Sequence, residues 1–114
     1  INCDLSTMKQ LWAEVDVVCV HPGSGAITGY ESIMSSWEYI LDDTALPDIQ
    51  INVLKQTMTD SLAVFVVEEY ISTGENSAVV ILATNVYQKF DGGWLMTEHH
   101  SSVIQPKSDR PTLQ

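Results

Sequence analysis

The chain has 114 residues, 45% of them hydrophobic, and a formal net charge of −10 from 15 acidic and 5 basic side chains. That length and apolar content suit one folded domain with its own core and argue against a disordered chain. An acidic balance without any lysine or arginine cluster argues against nucleic-acid binding, and no apolar run is long enough to cross a bilayer.

The two cysteines, Cys3 and Cys19, form no disulfide framework and no tight ligand cluster, so neither a disulfide scaffold nor a metal site is expected. Cys19 sits in an apolar strand pattern and reads as a small buried hydrophobe. This cysteine usage suits a reducing, cytoplasmic setting.

Asp4 is an N-cap candidate for a first helix carrying Leu5, Met8, Leu11 and Trp12 at helical spacing and ending near Glu14. Val17 to His21 reads as a short strand closed by the turn Pro22-Gly23-Ser24-Gly25, and Ala26 to Thr28 returns antiparallel to it. A second helix runs from Gly29, its N-cap, to about Asp42. Its apolar stripe is Ile33, Met34, Trp37, Ile40 and Leu41, and Pro47 follows its end.

From Asp48 the period changes to two, with Ile49, Ile51 and Val53 predicted on a buried strand face. The apolar phase then slips to Leu54 and Met58, which predicts a bulge near Val53-Leu54. Three further strands, Leu62 to Ser72, Ala78 to Phe90 and Trp94 to Ile104, are joined by short turns, so the last four strands form an antiparallel meander. The expected fold class is α+β: a curved antiparallel sheet wrapped on helices around an apolar pocket. Residues 1–105 are predicted to form one domain, and 106–114, with prolines and polar residues, a loosely held tail.

The ordered set Asp4-Leu5, Met8, Leu11-Trp12, then Val18-Cys19-Val20-His21-Pro22-Gly23, Gly29 with Ser36-Trp37, Ala83-Thr84-Asn85-Val86-Tyr87, and Trp94 with His100 and Ser102 spans nearly the whole chain. It resembles the SnoaL-like branch of the NTF2-like superfamily, which includes ketosteroid isomerase. The resemblance implies a cone-shaped barrel. It also implies a further helix ahead of Asp4, for which there is no sequence here. Either the chain is cut short or it closes its cone in another way, and the bare surface left favours a homodimer.

His21 ends the first strand and could serve as a general base or hydrogen-bond donor, or simply be tied to backbone beside its turn. On the last strand Trp94, Met96, Glu98, His100 and Ser102 share one face, and Leu95, Thr97, His99, Ser101 and Val103 the other. Alternation alone does not say which faces inward; the resemblance favours the His100 face. The candidate acid/base groups are therefore His21, Glu98 and His100, and the candidate ligand contacts are Asn85, Tyr87 and Ser102. Trp12 and Trp37 are primarily core, with ligand contact secondary. Whether Asn85 flanks His99 or His100 is left open by the Asp91-Gly92-Gly93 turn. Glu68 and Glu69 lie on opposite strand faces, one wet and the other at a strand end or in the pocket.

The resemblance implies a pocket for a small apolar molecule, with cofactor-free isomerase, cyclase or hydrolase chemistry if the protein is an enzyme. The competing expectation is a non-catalytic association module that uses an open sheet face.

Overall fold

The computed structural model describes residues 5–41, 49–74 and 77–104. They form two helices, α1 (Leu5–Leu11) and α2 (Tyr30–Leu41), and six strands: β1 (Val18–Val20), β2 (Ala26–Thr28), β3 (Ile49–Met58), β4 (Leu62–Gly74), β5 (Ser77–Phe90) and β6 (Gly93–Val103). The Asp4 cap, the Pro47 stop and the tail from Gln105 lie outside the described residues.

The strands make one sheet in the order β2-β1-β6-β5-β4-β3. As expected, β3 to β6 form an antiparallel meander and β1 pairs antiparallel with β2. One join mixes the sheet: β1 lies parallel to β6, with Cys19 opposite His99. The connection between these two strands runs through most of the chain, so no local turn announces it. Because the sheet ends at β2 and β3, it stays open and is not closed into the barrel that the resemblance implied.

Gly29 occupies a left-handed backbone conformation (φ 91°), and its carbonyl accepts from the Ile33 N–H at 3.0 Å, so it opens α2 as its position suggested. Helix α1 stops three residues short of the expected end, because Trp12 leaves helical geometry to bridge with Met96 of β6. The Ala13 N–H then donates to the Met96 carbonyl at 2.9 Å. Trp12, Ala13, Val17, Cys19, Ile33, Met34 and Met96 form the core where the helices meet the β1–β6 end of the sheet.

The meander carries two irregularities that decide which side chains face that core. One is the expected bulge on β3, where Leu54 is skipped between Val53 and Lys55. The other was not foreseen. Opposite the consecutive residues Val86 and Tyr87 stand Glu98 and Met96, so Thr97 is an extra residue on β6. A bulge of this kind reverses the inward–outward phase along its strand. Met96 and Thr97 are both buried in succession, and His99 and Ser101 continue the buried face while Glu98, His100 and Ser102 are exposed.

Strand β3 departs from expectation in another way: the face carrying Ile51 and Val53 is exposed rather than buried. Both helices sit over the opposite end of the sheet, and no described element covers β3.

Packing predicts a sharp contrast within α2. Ile33 is fully buried, whereas Tyr39 is 86% exposed. Ile33→Ala should lower unfolding free energy by about 2–5 kcal/mol, and Tyr39→Ala should stay within about 0.5 kcal/mol of the parent. Urea denaturation followed by circular dichroism measures both.

Candidate functional site

Strand registry places Cys19 of β1, His99 of β6, Asn85 of β5 and Phe65 of β4 in one row across the sheet. All four lie on the face that meets the helices, here called the inner face, because Cys19 belongs to the helix-packed core and residues in register point to the same side. His21, two residues beyond Cys19, shares that face. Helix α2 supplies Ser36 and Trp37 from above.

Three rings gather there. The His21 and Trp37 rings meet edge to face at 4.7 Å between centroids, Trp37 lies 5.7 Å from His99, and the two imidazoles are 6.3 Å apart. Ser36 Oγ–H donates to the Ile33 carbonyl at 2.6 Å, so its oxygen accepts from His21 Nε2–H at 2.9 Å. That assigns the proton of a neutral His21 to Nε2 and leaves Nδ1 a lone pair. Asn85 Oδ1 lies 2.6 Å from His99 Nδ1 and accepts from it, so neutral His99 carries its proton on Nδ1 and presents Nε2 as an acceptor.

Burial keeps both rings neutral. Desolvation lowers the His21 pKa, and desolvation first, then the charges of His21 and His100, lowers that of His99 from 6.5 to about 4. The Cys19 thiol, 3.6 Å from His21 Nε2, is pushed up to about 12 by burial and is held as a thiol. Ser101 on the same face is satisfied by the Val20 carbonyl at 2.9 Å. The indole N–H of Trp37 is buried with no hydrogen-bond partner among the described residues. Tyr87 lies on the inner face against Phe65, with ring centroids 5.8 Å apart. No group of three or more histidine, cysteine or acidic residues able to hold a metal occurs among the described residues.

Of the residues singled out from sequence, His21, Trp37, Asn85 and Tyr87 come together on the inner face. Trp12 is buried in the core, as its helical stripe implied. The choice of the His100 face is overturned: Glu98, His100 and Ser102 are on the exposed side, and His99 takes the inward position. The physical cause is the extra residue at Thr97, together with parallel pairing that sets His99 beside the fully buried Cys19. Sequence reasoning missed His99, Ser36 and Thr97. No local pattern marked the phase change, since the run Leu95-Met96-Thr97 fits either strand phase.

The described residues thus form an α+β domain, an open six-stranded mixed sheet with two helices on one face and polar side chains between them. The chain belongs to the SnoaL-like domain family, whose model matches residues 1–106. A candidate calcium/calmodulin-dependent protein kinase type II association domain from Thiobacillus denitrificans is similar at a TM-score of 0.82 and 28% identity, covering 90% of this chain and 84% of that one. A candidate dehydratase of the NTF2-like family from Streptomyces avermitilis has a TM-score of 0.75 at 26% identity, covering 91% and 84%. The Arabidopsis thaliana F-box protein SKIP8 is 28% identical over 101 residues, which are 88% of this chain but only 42% of that protein. The chain thus spans less than half the length of this curated relative. No helix among the described residues is long and apolar enough to cross a membrane.

The titration of His99 predicts an acid sensitivity of known sign. Its folded pKa of about 4 lies below the unfolded value of 6.5, so the unfolded state binds more protons between these values. Stability is then complete above pH 6.5 and declines as pH falls toward 4, by roughly 3 kcal/mol for this group. Denaturant melts across that window should show the decline, and His99→Gln should flatten it while His100→Gln leaves it in place.

Proposed function

We propose that the inner face binds a small, largely apolar molecule through a hydroxyl group. The observation that carries this reading is the unused hydrogen-bonding capacity around Trp37. Its buried N–H is an unpaired donor, and the two adjacent neutral imidazoles each keep one unpaired ring nitrogen among the described residues. A hydroxyl is the simplest group that both accepts from an indole and donates to an imidazole. An unpaired buried donor costs about 1–3 kcal/mol, which a ligand that satisfies it recovers.

The same facts weigh on chemistry. A histidine whose pKa is near 4 is a weak proton acceptor at neutral pH, so His99 suits ligand recognition better than proton abstraction. His21 is the remaining acid/base candidate on this face. Glu98 and His100 project from the other side and would need a partner or a second site to take part. Candidate ligand contacts are His21, Trp37, Asn85, Tyr87 and His99, and no cofactor is required for binding of this kind.

A second reading, association with another copy, is favoured by a different part of the molecule. Ile51, Val53, Leu54 and Met58 are exposed on the free edge strand β3, an arrangement that invites cover. The likeness to an association domain supports a second copy as that cover.

Decan-1-ol is a suitable probe for the first reading, followed through the imidazole nitrogens by NMR. Saturable binding that moves the His99 and His21 resonances, weakened roughly tenfold by His99→Leu and unchanged by His100→Leu, is expected. Absence of saturable binding would overturn it. For the second reading, light scattering should give twice the chain mass at micromolar concentration, and Val53→Lys with Leu54→Lys should return a monomer.

A further inference from the structure

The inner face holds one more polar group, far from the rings. Glu69 shares the face of Ala63, Phe65 and Val67, since β4 and β5 pair without interruption from Leu62 to Ser72. Its neighbour Glu68 points the other way, where it accepts from Tyr70 Oη–H at 2.9 Å and from the Asn52 amide at 3.4 Å. Glu69 has no such support. In register it stands between Ile51 of β3 and Ile81 of β5, and among the described residues it makes no hydrogen bond or ion pair. Burial alone raises its pKa, with no charge or hydrogen bond contributing. A half-buried, unpartnered carboxyl among isoleucines is unfavourable unless something meets it.

Between Glu69 and the rings the floor is low and apolar. The row Val67–Ala83–Ser101 crosses the sheet there, with Ala83 a methyl group and Ser101 tied down to backbone. Glu69 pairs with Ile81 and His99 with Asn85, so the two groups are four residues apart along β5 and on strands flanking it. Sheet geometry makes that roughly 16 Å between backbones, less between the side-chain tips that reach inward.

We propose that Glu69 is the second polar contact of the inner-face site, so that the ligand is an elongated apolar molecule with a hydroxyl at each end. This rests on the reading that the face binds a small apolar molecule, and it adds the requirement for a second polar end. One hydroxyl is taken at His99, and the apolar body spans the interval to Glu69. The far hydroxyl then hydrogen-bonds to the Glu69 carboxyl.

The test compares decan-1-ol with decane-1,10-diol, which differ only in the second hydroxyl, using the same NMR titration. The diol should bind roughly five- to tenfold more tightly than the monoalcohol. Glu69→Leu should abolish that advantage while leaving monoalcohol affinity intact or improved. Glu69→Gln, which keeps a hydrogen-bonding end, should retain most of it, and Glu68→Gln on the other face should change nothing. Saturable binding of both probes with equal affinity would overturn the role of Glu69 and leave the binding face standing. A diol advantage that survives Glu69→Leu would do the same. If neither probe binds, both readings fall together.

Discussion

The parallel pairing of β1 with β6 is the constraint on which the rest of this structure depends. It joins the first short strand to the last long one and sets Cys19 against His99. Cys19 is wholly buried under the helices, so its partner in register must face the same core. The bulge at Thr97 makes this possible, because it lets Met96 serve the core on one side of the irregularity and His99 on the other. Without that extra residue, Met96 and His99 would point to opposite faces.

Everything polar in the site follows from that placement. His99 loses solvent and becomes a neutral imidazole, and Asn85, its neighbour across β5, selects its tautomer. His21 is oriented by Ser36 one helical turn from Ile33, which ties the histidine to α2. Trp37 packs against both rings, and its N–H has no partner among the described residues. The result is a compact polar group in an apolar setting, where each hydrogen bond counts for more than it would in water.

The sheet is unevenly covered. The helices protect β2, β1 and β6, whereas β3 carries apolar residues into solvent along its length. Among the described residues, that edge strand leaves Ile51, Val53, Leu54 and Met58 uncovered.

Local pattern was enough for the helical stripe of Ile33, Met34 and Trp37, the cap at Gly29, the meander, the Leu54 bulge, and the burial of Cys19. Each of these depends on side-chain period, backbone freedom or turn length within a few neighbouring residues. Alternation also separated His99 from His100 and Glu69 from Glu68, because adjacent residues of a regular stretch of strand point apart. Which member of each pair faces the core was beyond local pattern. That choice depended on an extra residue at Thr97 and on pairing between strands some eighty residues apart, through which the burial of Cys19 is imposed on His99. The sequence by itself therefore determined the order of the elements and the pairs of residues that point apart. Only the tertiary structure decided the inward face, since a shift of one residue in strand phase costs little locally yet exchanges every side chain between core and solvent.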